Sequence, residues 1–259
     1  MFSCALGLHS NASDNFYLQD SNSKTCYIVD LKTLLNSRKF VPDEQFRYSS
    51  EVLPTSDLCL LDDNRYIGYH MWYLDDKQFS KVDSPLGYYQ KGEDSGKGMD
   101  DFPFFVASVN GARLFKNPQT QELWTADMHR DAIRIYNDSL KQIRELVGPD
   151  HFSPEYTRRQ IDAPVAFVTF ADECDYHAYT DYYITDKHIY LVYEGNKHFD
   201  MKNLSPVEIF KLDFDGNLLC NYKPDRYVYS ISINKKEDTL YCASRSSVME
   251  PPVILKYKL

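Results

Sequence analysis

The chain has 259 residues, with 29 Lys and Arg against 38 Asp and Glu and a formal net charge of -9. That balance lacks the basic footprint of a nucleic-acid binder or of a protein held on an anionic membrane, and no run of about 18 apolar residues is present to span one. The length suffices for one core without disulfide or metal staples, and 21 Tyr and 15 Phe against 2 Trp favour pleated surfaces over helices, so an all-β class is expected.

The opening MFSCALGLHS has no basic n-region and no apolar h-region of about 7 to 15 residues, so no signal peptide is read there. From residue 15 onward, strand-like segments with a central aromatic recur: NFYLQD, RYIGYHMWY, ELWTADM, HIYLVYEG and TLYCASRS. Their aromatics Tyr17, Tyr66, Trp124, Tyr190 and Tyr241 are spaced by 49, 58, 66 and 51 residues. A repeat near 40 to 50 residues, with about four strands in each unit, is the mark of propeller blades.

Each repeat continues into further strands. TCYIVDL, AIRIYNDSLKQIRELVGPD, VEIFKLDFDGNLLCNYKPD and VILKYKL follow the aromatic strands, and Asp215-Gly216 has the positive-φ tolerance of a two-residue hairpin. Asn137-Asp138 holds the same place one repeat earlier. Asp62-Asp63-Asn64, Asn110-Gly111, Asp186-Lys187 and residues 234–238 are expected to turn between first and second strands. Residues 139–146 also fit a helical face, but their alignment with GNLLCNYK makes them a strand. Residues 84–105 and 149–173, rich in Gly, Pro and charge, read as long connections. Tyr182, Tyr190, Tyr222, Tyr229 and Tyr241 are expected between blades, with hydroxyl partners at the sheet edges. The six cysteines show no CxxC pair and read as small buried hydrophobes.

The run from ELWTADMHRDAIRIYNDSLKQIRELVGPD through HIYLVYEGNKHF to VEIFKLDFDGNLLCNYKPDRYVYSISINKKEDTLYCASRSSVMEPPVILKYKL resembles the TolB-like six-bladed β-propeller family of Bacteroidetes. The resemblance implies one propeller domain over residues 1–259, of six four-stranded blades although five repeats are visible. It further implies an exported, periplasmic or envelope protein without an assigned activity. The last repeat stops after its third strand, so a closing strand is expected from FSCALG, which would remove a sheet edge.

In a propeller, the loops between blades and those joining second to third strands line one mouth of the channel. The residues they place there are His129, Arg130, His177, Tyr179, Asp181, Arg226, Tyr227 and Arg245, a set able to bind an anionic or sugar-like ligand through charge-assisted hydrogen bonds and ring stacking. No GxSxG elbow and no Ser or Cys at a motif distance from a histidine is found, and GEDSGKG at 92–98 lacks the spacing of a phosphate-binding loop. The reading is a non-enzymatic, monomeric binding or scaffold propeller of the envelope, without a cofactor, recognising a protein, peptide or glycan. The alternative is a metal-dependent hydrolase or lactonase with a channel-bound Ca²⁺, for which Asp57, Glu173 and Asp181 are the carboxylate candidates.

Overall fold

The computed structural model describes residues 5–10, 15–37, 39–53, 56–61, 64–70, 84–94, 111–154, 156–162, 165–170, 177–196 and 204–259. Among them the chain forms six antiparallel sheets in succession. The first is β1 (Ala5–Ser10), β2 (Asn15–Asp20), β3 (Thr25–Asp30) and β4 (Glu44–Arg47). The second is β5 (Cys59–Leu60), β6 (Arg65–Tyr69) and β7 (Leu86–Gln90), and the third is β8 (Ala112–Lys116), β9 (Leu123–Asp127), β10 (Ala132–Tyr136) and β11 (Gln142–Val147). A two-stranded sheet of β12 (Tyr156–Asp162) and β13 (Val165–Phe170) comes next. The last two are β14 (His177–Ile184), β15 (Ile189–Asn196), β16 (Glu208–Leu212) and β17 (Leu218–Tyr222), then β18 (Val228–Ile233), β19 (Thr239–Ser244) and β20 (Val253–Lys258).

The five aromatic segments become β2, β6, β9, β15 and β19, the second strand of five sheets. The sheet missing from the sequence repeat, β12–β13, falls inside the longest step, between Trp124 and Tyr190. Its VAFVTF strand is a continuous apolar run rather than an alternating one, so period-2 reading passes over it. Residues 149–173 are therefore not purely a connection, and neither are 84–105, which contain β7; residues 95–105 and 171–173 lie outside the described part. Of FSCALG, expected to close the last sheet, Ala5 to Gly7 belong to β1, which pairs with β2, and residues 2–4 lie outside the described part.

Among the described residues one helix interrupts the strands. α1 (Leu31–Ser37) starts where Asp30 Oδ1 accepts the Thr33 amide at 2.7 Å, an N-cap that the strand reading of TCYIVDL ran through. The residues expected as a helix alternative, 139–146, contain β11 and no helix.

The hairpin turns differ in detail from the expected two-residue form. At Asp213–Asn217 the Asp213 amide donates to Asn217 O at 3.1 Å and the Gly216 amide to Asp213 O at 3.1 Å, with Gly216 at φ 87°. The same geometry recurs at Asn137–Lys141, where Leu140, at φ 57°, takes the left-handed position. Three residues separate the paired ones, the form in which a type I turn is followed by a left-handed residue. The β8–β9 turn runs from Asn117 to Glu122 rather than at Asn110-Gly111: Gly111 precedes β8, and Asn110 is outside the described residues.

Packing divides the chain into two compact units, Met1–Phe115 with Gln160–Phe167, and Lys116–Arg159 with Val168–Leu259. In the first, Tyr17, Cys26, Phe46, Tyr48, Val52, Leu58 and Tyr66 form a core between neighbouring sheets. Tyrosine serves there because its ring fills the gap while its hydroxyl ties the sheets: Tyr17 Oη donates to Leu58 O at 2.6 Å, and the Ser49 amide donates to Tyr66 Oη at 2.7 Å.

In the second unit Tyr190, Val192, Ile209, Val228, Ile231, Ile233 and Leu240 form the core between the β14–β17 and β18–β20 sheets, flanked by Tyr222 and Tyr229. Tyr241 departs from expectation, being 39% exposed on the outer face of β19. Glu237 clamps these two sheets from the β18–β19 turn, accepting from His188 Nδ1 at 2.6 Å and Lys211 Nζ at 3.3 Å, and from Thr185 Oγ1. Among the described cysteines, Cys26, Cys59 and Cys242 are buried, Cys220 is half-buried, and all four are free thiols.

Candidate functional site

The eight residues expected at a mouth all fall in the second unit, and its antiparallel order explains why several meet. β9 ends at Asp127, β14 starts at His177, β15 ends just after Glu194, and β18 starts just after Tyr227. The Ala178 amide donates to Met128 O at 2.8 Å, fastening the start of β14 to the loop after β9. His129 and His177 consequently lie edge to face, with ring centroids 5.5 Å apart.

From that pair a polar chain runs inward. His177 Nδ1 is 3.8 Å from Glu194 Oε2, and Tyr227 Oη donates to Glu194 Oε1 at 2.7 Å. Glu194 is 6% exposed whereas the His177 side chain is 26% exposed, so the imidazole is the part that faces outward. Burial and the Glu194 charge push the Tyr227 hydroxyl pKa up, and the positive charge of Arg245 opposes the rise. The Arg245 guanidinium lies 5.2 Å from the Tyr229 ring centroid, and its buried Nε has no hydrogen-bond partner among the described residues.

A second carboxylate lies behind the same loop. Asp127 is 1% exposed and accepts from Arg134 Nη1 at 2.5 Å, while Arg130 Nη1 stands 3.9 Å away. Burial drives the Asp127 carboxyl pKa up, and the two guanidinium groups pull it back. Its Oδ1 has no hydrogen-bond partner among the described residues.

His177 and Tyr227 thus meet at Glu194, His129 stands against His177, Arg245 acts on Tyr227 from beside Tyr229, and Arg130 is beside Asp127. The other three expected residues have other employment. Tyr179 is buried and its hydroxyl donates to Asp131 Oδ1 at 3.2 Å; Asp181 Oδ2 accepts the Ile231 amide at 2.8 Å and ties β14 to β18. Arg226 is exposed next to Asp225 and makes none of these contacts. Of the carboxylates considered for a metal, Asp57 lies in the first unit, where it accepts from Arg113 Nη1 at 3.1 Å and the Leu114 amide at 3.3 Å, and Glu173 is outside the described residues. No group of three or more His, Cys, Asp or Glu poised for a metal ion occurs among the described residues.

Loop-based reading missed the backing carboxylates, Asp127 and Glu194. A signal for them existed: an acid follows the central aromatic by three or four residues in three repeats, as Asp20, Asp127 and Glu194, and all three are buried.

The sequence matches the profile of the TolB-like 6-blade propeller-like family over residues 14–236. The chain belongs to that family. Its six successive antiparallel sheets are those of a TolB-like propeller. Among solved structures, a member of the DUF4221 family from Bacteroides vulgatus superposes with a TM-score of 0.55 at 8% identity, covering 100% of this chain and 80% of that one. The extracellular domain of a putative hybrid two-component system from Bacteroides thetaiotaomicron gives 0.40 at 9% identity, over 93% of this chain and 26% of that one. The Neurospora crassa Pan2 WD40 domain gives 0.41 at 9% identity, over 93% and 58%. No curated protein matches the sequence. For a TolB-like propeller the likeness to the DUF4221 protein, at 8% identity, concerns the fold alone, and the chemistry has to be argued from the side chains.

Proposed function

We propose that the protein is a non-enzymatic binding propeller of the bacterial envelope that recognises an anionic group, such as a carboxylate on a peptide or glycan, at the His129–His177 end of the second unit's sheets. One observation carries this reading: a chain of contacts at that end links the partly exposed His129 and His177 to buried Glu194 and on through Tyr227 to Arg245, and the partly exposed Arg130 stands beside buried Asp127. Buried carboxylates hold their cationic neighbours in place, and imidazole and guanidinium groups are donors that suit an anionic acceptor. Tyr229 under Arg245 adds an aromatic surface suited to a sugar ring or a peptide side chain. Assignment to the envelope rests on membership in the TolB-like family.

The test is calorimetric titration with uronate oligosaccharides and Glu-rich peptides, followed by Arg130→Ala combined with Arg245→Ala. Loss of two charge-assisted contacts is expected to weaken the binding of an acidic ligand by about 10- to 100-fold at an unchanged melting temperature. Binding that survives the double substitution, or that shows no preference for acidic ligands, overturns the proposal.

A further inference from the structure

Three arginines of the second unit are half-buried among the described residues, and they differ in what they touch. Arg130 and Arg134 both lie against Asp127, at 3.9 and 2.5 Å. Arg245 directly follows the end of β19, and its guanidinium makes no hydrogen bond and no ion pair among the described residues, its buried Nε included. The acids closest to it along the chain or across β18 are engaged elsewhere: Glu194 by Tyr227 and His177, Glu250 by Ser246, and Asp225 by Tyr257. A guanidinium partly withdrawn from water without an acceptor is a cost to the fold, and an oxyanion brought by a ligand removes it.

The backbone sets the direction of this arginine. Val228 pairs with Ser244 and Ser230 with Ala243, so Tyr229 is the extra residue of a bulge in β18. A bulge re-aims the side chain it carries. Here the re-aimed ring lies under Arg245, with 5.2 Å between the ring centroid and Cζ. Contact with an aromatic face restrains the planar guanidinium and leaves its edge, a fork of N–H donors, for the ligand. A carboxylate matches such a fork with two coplanar oxygens and a single charge. A doubly charged phosphate matches less well, because Glu194, Asp225 and Glu250 outnumber Arg226 and Arg245 at this end and would repel the second charge.

We propose that Arg245, aligned by Tyr229, is the specificity-determining residue of the site: it takes the ligand's carboxylate through paired hydrogen bonds and selects that planar monoanion over a phosphate ester. This inference rests on the reading of the His129–His177 end as a site for an acidic ligand.

The probes are glucuronate and N-acetylglutamate, a sugar and a peptide source of the same group, with their methyl esters and glucose 6-phosphate as controls. Each is titrated into the full ¹⁵N-labelled chain, and the arginine Nε–H resonances are followed, that of Arg245 being assigned by its loss in Arg245→Lys. At least one of the two acids is expected to shift the Arg245 resonance saturably, and which one does so identifies the source. The esters should leave it in place, and the phosphate should bind about tenfold more weakly or worse. Arg245→Lys keeps the charge but loses the fork, and Tyr229→Leu keeps the fork but loses its support; each should weaken the acid by about tenfold or more in calorimetry. An acid that binds the chain equally well in Arg245→Lys without moving the Arg245 resonance overturns this inference alone, as does a preference for the phosphate. Failure of every acidic ligand to bind overturns it together with the reading of the site.

Discussion

Replacing Gly148 with alanine is expected to destabilise the protein by about 2–4 kcal/mol, seen as a lower urea midpoint at unchanged m-value. A Cβ at this position would lie 1.9 Å from Asp131 Oδ1 and 2.7 Å from the Tyr179 hydroxyl. Asp131 cannot swing aside cheaply. It is 1% exposed, its Oδ2 accepts the Asp150 and His151 amides at 2.7 and 2.8 Å, and its Oδ1 takes the Tyr179 hydroxyl. Moving it leaves buried or half-buried donors unmatched, at roughly 1–3 kcal/mol for each buried donor so stranded. The damage would spread, because Tyr179 packs on Tyr193 at 5.1 Å and Tyr193 Oη donates to Asp150 Oδ2 at 2.7 Å. Asp131 also ends the loop bearing His129 and Arg130, so ligand affinity should fall together with stability. A double-mutant cycle identifies the cause: once Asp131→Ala has removed the obstructing carboxylate, Gly148→Ala should cost much less. A Gly148→Ala penalty below about 0.5 kcal/mol, or one that adds fully to that of Asp131→Ala, would refute the mechanism.

The same loop shows what could be read from sequence and what could not. Its strands were legible because ELWTADM carries the recurring central aromatic and AIRIY sets apolar residues on both sides of Arg134, and both are local signals. The β12–β13 sheet was not, since the sequence VAFVTF, largely apolar and without alternation, reads like any apolar run between Pro and charged residues. α1 was missed although Asp30 is a good cap, because a capping residue decides a boundary only once the strand before it is known to end. At the candidate site, loop membership placed His129, His177, Tyr227 and Arg245 at one end of the sheets. It could not separate them from Tyr179 and Asp181, whose polar atoms are consumed by Asp131 and by the Ile231 amide. Whether a loop residue is free to serve a ligand depends on partners distant in sequence, and only tertiary pairing decides it.

In the first unit, stability is expected to fall by about 3 kcal/mol between pH 6.5 and pH 4 through His70 alone. The imidazole lies over the backbone of Gly87, where a Cβ would come within 2.1 Å of its Cε1, and Nδ1 hydrogen-bonds to Tyr89 Oη. Burial in this slot lowers the His70 pKa from 6.5 to about 4, against the weaker opposing pull of the Glu51 charge. A proton on the ring thus meets desolvation in the folded chain and none in the unfolded one. Between the two values the unfolded state holds more protons, so stability increases with pH across that window. The contribution is complete above the unfolded value and gone once the pH drops below the folded one. The check is a series of urea titrations from pH 7.5 to pH 4 on the wild-type chain and on His70→Gln, whose difference cancels the other titrating groups. The wild-type curve should drop more steeply, by about 3 kcal/mol in total, and the Cε1 proton resonance of His70 should titrate near pH 4. A resonance that titrates near 6.5, with parallel stability curves, would mean that water reaches the ring and that the slot over Gly87 does not hold it neutral.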